Sequence, residues 1–415
     1  MPSVLVVGSG DRYFRQYLLE GMARLVDVLL LDPAPITWQW SFIADGRSAD
    51  FNSPAAILAA ANSLGCAHQI SGVVTWVEKL VVQTAEIARG LGLPAMPVEA
   101  AVACRDKAEQ RAKFDLAGVP SARHRLVHTT HQAQTAAAEL GYPLIVKPRS
   151  RAASVGVRMV TDDTELLAAL RFVHHTDREY PAYGGFGAGT LIEELLRGPE
   201  ISVDSWVLDG QVVPFVTASK RTGFSPYFVE TGHVVEAPLD PVVAARVHDV
   251  VAAANRALGV DRCITHTELV LSEDGPRVVE VNGRLGGDLI PRLRELVTPG
   301  FSAGSLAAHL AQGAVPPRIP DASGAAGIHF VYPTYDLRFT RLFISPALRN
   351  IAWIREVVEL GEPGETLRVP PRGFLDRAAY CVVVGDKPDL VAERLACVAT
   401  HIAAIGTRLN DQPRI

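Results

Sequence analysis

Short aliphatic runs alternate with longer amphipathic stretches through the first hundred residues of the chain. An aliphatic run of this kind predicts a strand buried on both faces, and each amphipathic stretch predicts a helix that covers it. The order of these segments predicts a doubly wound α/β unit, which we expect to end near residue 98, after a stretch rich in glycine and proline. The predicted strands cover residues 3–10, 26–32 and 72–76, and the predicted helices cover residues 15–25, 53–64 and 80–91.

A glycine turn, formed by Gly8, Ser9 and Gly10, ends the first predicted strand. A dinucleotide-binding fingerprint needs three spaced glycines, and the third is absent here. We therefore interpret this turn as structural rather than as a cradle for a cofactor.

In the middle of the chain, helices are predicted over residues 101–117 and from about residue 130 to 140. An apolar strand over residues 142–148 then carries a single cation, Lys147, near its end. A buried ammonium group without a partner is very costly, so Lys147 needs an anion or a path to water. The small residues of loop 149–156 follow directly, and their backbone N–H groups could cradle phosphate oxygens beside Lys147. The alternative is an ordinary surface loop.

Two acidic strands near residue 280 are predicted to pair as a hairpin. Alternation along the second strand places Glu280 and Asn282 on one face. The preceding strand carries Glu268, and a turn at residues 273–275 can bring it beside Glu280. Carboxylate and amide oxygens aimed at one point suit a hard divalent cation such as Mg²⁺. The alternative is a solvated hairpin with ordinary acids, but apolar strands rarely carry acids without a partner.

Polar stretches between these segments carry further candidates. A bend at residues 197–199 lies between two predicted strands with acids close by, which suits adenine and ribose contacts or is simply a turn. A polar loop with Lys220 is predicted over residues 219–226. Glu230 and His233 follow and are candidates for holding an amino-acid substrate or accepting a proton from an amine. A histidine in a glycine-containing loop is equally consistent with a structural role.

Composition narrows the class of protein. With 415 residues, 48% hydrophobic and 20% charged, the chain can bury the cores of two or three globular domains. The net charge of −5 gives no support for a nucleic-acid partner. Five scattered cysteines indicate buried, reduced thiols, and neither a signal segment nor a membrane-spanning run is visible. We therefore expect a cytoplasmic protein without a membrane partner.

With these motifs in order, the chain resembles the ATP-grasp superfamily of carboxylate–amine ligases over residues 100–313. Residues 193–200 look like the adenine-hinge motif of D-alanine–D-alanine ligases, whereas other segments look more like the dipeptide-forming L-amino acid ligases. Those segments are residues 230–233, 266–268, 282–287, 327–333, 363–364 and 379–385. The resemblance implies a mixed α/β and α+β protein with an ATP-grasp fold. Its implied parts are a Rossmann-like preATP-grasp domain (1–98), an ATP-grasp domain (99–318, with a lid at about 130–205) and a small C-terminal α+β domain (319–415).

The resemblance also implies a role for individual residues. The phosphate loop departs from the family pattern, because Arg151 and two alanines replace the usual glycines. Asp288, four residues after Arg284, is expected to face the same cleft from the next turn. The implied ATP-binding residues are Lys107, Lys147, Ser154, Val155, Gly156, Glu193, Glu194, Leu195, Leu196 and Glu200. The implied metal ligands are Glu268, Glu280 and Asn282; the catalytic residues are Arg284, Lys220, Glu230 and His233; the substrate-binding residues are His233, Arg284, Gly287 and Asp288.

This residue set implies an ATP- and Mg²⁺-dependent ligase, with Mn²⁺ able to replace Mg²⁺. Such an enzyme activates a carboxylate, here expected to be an amino acid, as an acyl phosphate and couples it to an amine, releasing ADP and phosphate. Phosphoryl transfer needs charge neutralisation and in-line positioning more than a dedicated base. Two alternatives stay open: a carboxylase or purine-pathway ligase acting through carboxyphosphate, and a non-catalytic nucleotide-binding homologue. A homodimer is possible.

Overall fold

A computed structural model describes residues 2–179 and 188–409 of the chain. The predicted lid, residues 130–205, is therefore described except for residues 180–187, which lie outside the described residues. Within the described ranges, no helix is both long enough and apolar enough to cross a lipid bilayer.

The first unit is a parallel α/β layer, as the hydrophobic pattern predicted. Its four-stranded sheet has the order β3-β2-β1-β4, and all pairs in it are parallel. The third strand was missed because its four residues are mostly polar. The elements are β1 (Ser3–Val7), α1 (Arg12–Ala23), β2 (Asp27–Asp32), β3 (Asp45–Ser48), α2 (Pro54–Ala67), β4 (Ile70–Val74) and α3 (Val81–Gly90).

The single helix predicted over residues 101–117 is wrong, because the chain forms two helices separated at Asp106. Asp106 has an extended backbone (φ −113°, ψ 102°), and its carboxylate accepts hydrogen bonds from the backbone N–H groups of Ala108 and Glu109. A side chain of this kind caps a new helix N-terminus and stabilises the break. The two helices are α4 (Val98–Arg105) and α5 (Lys107–Ala117).

The predicted lid contains a small antiparallel sheet with two helices. The sheet has the order β5-β8-β6-β7, and its own buried cluster lies between it and the helices. The predicted helix over 130–140 is confirmed, because Thr129 caps its start and Gly141 ends it. The elements are β5 (His124–Val127), α6 (Thr130–Leu140), β6 (Leu144–Pro148), β7 (Arg158–Val160), α7 (Asp163–Glu179) and β8 (Thr190–Glu194).

An antiparallel sheet of eight strands forms the centre of the molecule. Its first five strands along the chain are β9 (Glu200–Leu208), β10 (Gln211–Gly223), β11 (Val229–Val235), β12 (Cys263–Ser272) and β13 (Gly275–Asn282). Helix α8 (Pro241–Leu258) connects β11 to β12. Helices α9 (Ile290–Val297) and α10 (Ala303–Ala311) follow, and then β14 (Ala325–Val331), β15 (Leu337–Ile344), β16 (Ile354–Glu359), β17 (Thr366–Leu367), β18 (Ala379–Gly385), α11 (Pro388–His401) and β19 (Ile402–Arg408). The large sheet has the order β13-β12-β9-β10-β11-β14-β18-β16, and β17, β15 and β19 form a smaller one.

Two polar stretches predicted as loops are strands of this sheet. Strand β10 continues to Gly223, so Lys220 lies on a strand rather than in a loop over residues 219–226. His233 lies on β11, paired with Lys220 across the two strands. Because a strand fixes side-chain direction, both residues have defined neighbours.

The large sheet continues across the boundary that we predicted after residue 318. Strand β14 pairs with β11 on one side and with β18 on the other. The ATP-grasp and C-terminal segments therefore share one continuous sheet, and the boundaries at residues 98 and 318 stay predictions.

Helix α1 of the first unit packs closely on α10 of the central part. A Cβ atom on Gly304 would lie 2.1 Å from the carbonyl oxygen of Leu18, so only glycine allows this approach. The contact brings the first unit over the carboxyl end of β13. One buried cluster consequently includes Leu18 and Met22 of α1 together with Leu306 and Leu310 of α10.

The prediction that the cysteines are all buried is wrong for two of them. Cys104 and Cys381 are buried and Cys263 is partly buried, whereas Cys66 and Cys397 are exposed. All five are free thiols.

Candidate active site

The predicted acidic hairpin is confirmed. Strands β12 and β13 pair antiparallel, with Glu268 directly opposite Glu280 and His266 opposite Asn282. The amide nitrogen of Asn282 donates to Oε1 of Glu280 over 3.1 Å, so the two side chains share a face. The hairpin thus brings two carboxylates and one amide to the same place, as their spacing predicted.

Two lysines contact the acids of this hairpin. Nζ of Lys107, at the start of α5, lies 2.6 Å from Oε2 of Glu280. Nζ of Lys220 lies 2.7 Å from Oε2 of Glu268, 2.6 Å from Glu200 and 2.9 Å from Glu230. A single buried ammonium group therefore meets three carboxylates.

These contacts set the charge states of the groups. Burial alone would lower the pKa of Lys220, but the carboxylates of Glu200, Glu230 and Glu268 outweigh it and hold the pKa well above its usual value. Burial would raise the pKa of Glu268, but Lys220 and His266 hold it well below its usual value. Glu268 is therefore a carboxylate and Lys220 an ammonium ion at neutral pH.

The donor set of the hairpin fits a hard divalent cation. The oxygens of Glu268 contact Lys220 and His266, and one oxygen of Glu280 contacts Lys107, so both carboxylates already hold positive charge nearby. Asn282 adds a carbonyl oxygen to this set of donors, while its NH₂ group donates to Glu280. Oxygen donors from carboxylates and amides are the ligands that Mg²⁺ takes in proteins.

A buried aspartate–histidine pair, which no sequence pattern predicted, lies next to Glu268. Nδ1 of His266 lies 2.6 Å from Oδ1 of Asp204, and its Nε2 lies 3.5 Å from Oε1 of Glu268. The other oxygen of Asp204 accepts from the N–H of Gly286 over 3.1 Å. Burial opposes protonation, but Asp204 outweighs it and raises the pKa of His266 to about 9. The pair depends on the register of β9 and β12, which places Asp204 opposite His266 and is not visible in either segment alone.

Arg284 is held by an acid of the first unit. Its Nε donates to Oε2 of Glu78 over 2.5 Å, and Arg105 donates to the other oxygen over 2.6 Å. Burial would raise the pKa of Glu78, but Arg284 and Arg105 lower it to about 2. Glu78, which the sequence analysis missed, thereby orients Arg284 beside the hairpin.

Lys147 meets an acid of the predicted adenine hinge. Its Nζ lies 2.6 Å from Oε2 of Glu193, whose other oxygen accepts from Nε of Arg111 over 2.7 Å. Burial lowers the pKa of Lys147 to about 8, and the positive charge of Arg111 adds to this effect. The same two cations outweigh burial at Glu193 and lower its pKa to about 2. Glu194 instead accepts from Arg123 and Arg277 at the hinge surface, and its role stays a prediction.

The predicted phosphate loop lies over the start of α5. Nζ of Lys107 donates to the carbonyl oxygen of Arg151 over 2.7 Å, which ties the loop to the hairpin acids. Ser154 and Gly156 have left-handed backbone (φ 57° and 82°), and Oγ of Ser154 donates to the carbonyl oxygen of Phe228 over 3.0 Å. Val155 lies between them, half-buried. Arg151 is half-buried, not exposed.

The predicted substrate residues Glu230, His233 and Asp288 lie together. Nε2 of His233 lies 3.4 Å from Oε2 of Glu230 and 3.4 Å from Oδ2 of Asp288. Burial lowers the pKa of His233, but its two acidic neighbours outweigh burial and raise it. Asp288 reaches this cluster through a left-handed turn (φ 51°) before α9, so the expectation that it follows Arg284 by one helical turn is wrong.

Two further arginines were missed at this end of the site. Arg377, between β17 and β18, donates from Nη1 and Nη2 to the two oxygens of Asp288 over 2.7 and 2.8 Å. Arg15 of α1 donates to the carbonyl oxygen of Gly286 over 3.1 Å, next to the predicted residue Gly287. Both come from outside the predicted ATP-grasp segment, so only the tertiary structure brings them here.

Comparison with known proteins indicates the class of protein in which such a site occurs. Residues 140–292 match the family model of an ATP-grasp domain. Alanine–anticapsin ligase of Bacillus subtilis is 29% identical over 240 residues, which are 54% of this chain and 50% of that protein. An uncharacterised protein of Sinorhizobium fredii is 30% identical over 302 residues, which are 71% of this chain and 61% of the relative. The matches thus span between half and three-fifths of these relatives.

The fold likeness extends over nearly the whole chain. The L-amino acid ligase from Bacillus licheniformis superposes with a TM-score of 0.83 at 20% identity, covering 98% of this chain and 99% of that one. Phosphoribosylglycinamide synthetase from Anaerococcus prevotii superposes with a TM-score of 0.72 at 18% identity, covering 98% and 100% of the two chains.

Residues 140–292 therefore match an ATP-grasp domain, and the resemblance seen in the sequence is confirmed. Within that class the chain is L-amino acid ligase-like in fold. ATP and Mg²⁺ are the cofactors of ATP-grasp enzymes.

Proposed function

We propose that this protein is an ATP- and Mg²⁺-dependent ligase that converts a carboxylate, an amino acid, into an acyl phosphate and joins it to an amine. One observation carries the proposal: the hairpin acids Glu268 and Glu280 face one place, and Lys107 and Lys220 contact them there. The products of the reaction are an amide or peptide, ADP and phosphate.

The chain's own residues supply positioning and charge for phosphoryl transfer. Glu268, Glu280 and Asn282 would hold Mg²⁺, which when bound neutralises charge on the phosphates. Lys107 at the start of α5 and Lys147 near the end of β6 suit the oxygens of a triphosphate. Such fixed cations lower the barrier because they need no reorganisation as charge moves. The carboxylate oxygen attacks the γ-phosphorus, and the bond from the γ-phosphorus to the bridging oxygen breaks, releasing ADP.

We assign to Arg284 the contact with the phosphoryl group while it is being transferred. The guanidinium of Arg284 is largely shielded from solvent, fixed by Glu78 and adjacent to the hairpin. A planar fork of N–H donors can meet a carboxylate and a phosphate oxygen together. Glu78 therefore acts through Arg284, as a positioning residue.

Glu230 and His233 suit the second half of the reaction. The amine attacks the carbonyl carbon of the acyl phosphate, phosphate leaves, and the amine nitrogen must lose a proton. His233 lies between two acids that raise its pKa, so it donates hydrogen bonds better than it accepts a proton. We assign substrate holding to His233 and Asp288, and proton acceptance to Glu230.

The remaining assignments are parts of the same proposal. Leu195 and Leu196, half-buried between β8 and β9, would line the adenine with Glu193 and Glu194, and Glu200 would take the ribose hydroxyls. The domain limits at residues 98 and 318, with a lid that closes over the nucleotide, and a homodimeric state are also proposed. A closed lid would exclude water and protect the acyl phosphate from hydrolysis.

The proposal is tested by product analysis. The protein is incubated with ATP, Mg²⁺ and pairs of amino acids, and ADP, AMP, phosphate and coupled products are measured by mass spectrometry. We expect ADP, phosphate and a dipeptide in equal amounts. Release of AMP, or no turnover with any acid and amine, would contradict it. ADP release driven by bicarbonate alone would favour the carboxyphosphate alternative, and thermal stabilisation by ATP without hydrolysis would favour a non-catalytic nucleotide-binding protein.

A further inference from the structure

The guanidinium group of Arg377 is held in place by side chains on several sides. It lies between β17 and β18 and is only 8% exposed. Its Nε donates to the hydroxyl oxygen of Tyr332 over 2.9 Å, and its guanidinium carbon lies 3.6 Å from the ring centre of Phe330. Its two terminal nitrogens donate to both oxygens of Asp288. Together these contacts hold the guanidinium group in the plane that lets it donate two hydrogen bonds to Asp288.

The contact balances charge at the end of the site where Glu230 and His233 lie. Asp288 and Glu230 are two acids that share His233 as a neighbour. Lys220 contacts Glu230 over 2.9 Å, and Arg377 contacts Asp288 over 2.7 Å. Asp288 therefore has Arg377 as its own cation, whereas Glu230 shares Lys220 with Glu200 and Glu268. A buried carboxylate without such a partner either takes up a proton or attracts another cation.

The same three side chains have a second possible occupant, a metal ion. Ligand atoms of Glu230, His233 and Asp288 lie within 4.8 Å of one another. An ion there would have to displace or repel both Lys220 and Arg377, which already contact the two acids. These two cations therefore favour a zwitterionic organic substrate over a divalent cation.

We propose that Arg377 is a specificity-determining residue, which neutralises Asp288 in this subsite so that the enzyme selects amino acids with uncharged side chains over those with cationic ones. The inference rests on the proposed function, because it assigns the subsite of Glu230, His233 and Asp288 to the amino-acid substrate. Without Arg377, Asp288 would present an unneutralised carboxylate that a lysine or ornithine side chain could pair with.

The central experiment compares Arg377→Met with the unaltered protein. The ratio of kcat/KM for leucine to kcat/KM for lysine is measured by ADP release with one fixed amine. We expect the ratio to fall at least about tenfold in Arg377→Met, because a new buried ion pair becomes available to the cationic substrate. Arg377→Lys keeps the charge and should keep most of the preference for leucine.

A double variant separates the charge of Asp288 from the shape of the site. In Asp288→Asn with Arg377→Met, the remaining acid of the subsite, Glu230, keeps its contact with Lys220, so the leucine preference should return. If the double variant keeps the altered ratio, or if Arg377→Met lowers kcat/KM equally for both substrates, the proposal is overturned. Arg372→Met serves as a matched control, because Arg372 lies in the same connection but contacts Asp336 at the surface.

Equilibrium binding separates this proposal from the proposed function. Calorimetric titration of leucine and lysine into the protein with ADP and Mg²⁺ reports preference without turnover. A tighter lysine titration in Arg377→Met but not in Arg372→Met would support the role of Arg377 even if no ligation occurred. Unchanged binding of both amino acids would overturn it, whereas absence of ADP release by the unaltered protein counts against the proposed function. Thermal melting checks that each variant is folded.

Discussion

The glycine turn after β1 and the acidic hairpin of β12 and β13 both carry motifs that suggest nucleotide or metal binding. At the glycine turn, the N–H and hydroxyl groups of Ser9 both donate to Oδ2 of Asp32, over 2.8 and 2.7 Å. The indole N–H of Trp76 donates to the carbonyl oxygen of Ser9. The groups of this turn thus satisfy one another, and the structural interpretation is supported.

The hairpin differs from the glycine turn because several of its charged side chains lie close together and share one partner. Glu268 and Glu280 lie opposite each other, and Lys220 alone faces three carboxylates. Buried like charges at close range cost free energy unless something else stabilises them, which a nucleotide with its metal would do. A concentration of ionisable groups therefore indicates the functional site better than a pair of glycines does.

The largest expected effect comes from removing charge at the hairpin. Glu268→Gln keeps the size of the side chain but removes one carboxylate from the proposed metal ligands. We expect kcat/KM for ADP formation to fall on the order of 10³-fold, because fixed charge at a phosphoryl-transfer site is worth several kcal/mol. Steady-state ADP release at saturating Mg²⁺ measures this. Activity close to that of the unaltered protein would remove Glu268 from the metal site.

Arg284 provides the next test, with a control that shares its partner. Arg284→Met should lower kcat by about 10²–10³-fold with a smaller change in KM, because the arginine acts on the transferring group. Arg105 contacts the other oxygen of Glu78 and is buried, with a side chain 6% exposed against 12% for Arg284. Arg105→Met should cost stability without the same loss of kcat. Equal losses in the two variants would mean that both arginines serve only to hold Glu78.

Local signals were sufficient to predict several elements of the fold. Helix α6 begins after the capping residue Thr129 and ends at Gly141, as its pattern predicted. The hairpin register followed from alternation along its strands and a short turn. Each of these features depends on residues that are close in the sequence, so the pattern is visible in one segment.

The missed residues depend on contacts between distant parts of the chain. Glu78 lies 206 positions from Arg284, and Arg377 lies 89 positions from Asp288. Neither belongs to a motif, because a single acid or arginine carries no periodic signal. Lys220 was placed in a loop because strand β10 becomes polar where it enters the site. At such places the requirements of function override local preference.

A change at the glycine turn should lower stability and leave activity unchanged, whereas a change at the hairpin should lower activity. Asp32→Asn removes the anionic acceptor of both Ser9 donors and should lower the free energy of unfolding by about 1–3 kcal/mol. Chemical denaturation measures this change. The kcat/KM of the folded fraction should stay the same, since these groups serve the turn alone. A selective loss of nucleotide affinity with unchanged stability would mean that the turn binds a ligand after all.

The smallest expected effect is a pH dependence from Lys147. Burial depresses its pKa to about 8, below the ordinary value near 10.4, so the folded protein releases this proton before the unfolded chain does. Between these two pKa values the unfolded chain binds more protons, and the contribution of Lys147 to stability therefore rises with pH.

The proposed phosphate contact of Lys147 has the opposite pH dependence, because it needs the ammonium form. The apparent affinity for ATP should weaken as pH rises through about 8, by up to about tenfold at pH 9. The measurement is the KM for ATP between pH 7 and 9 in the unaltered protein and in Lys147→Arg, whose charge persists through this range. A profile that stays the same in both proteins would separate Lys147 from the nucleotide and leave it as a structural partner of Glu193.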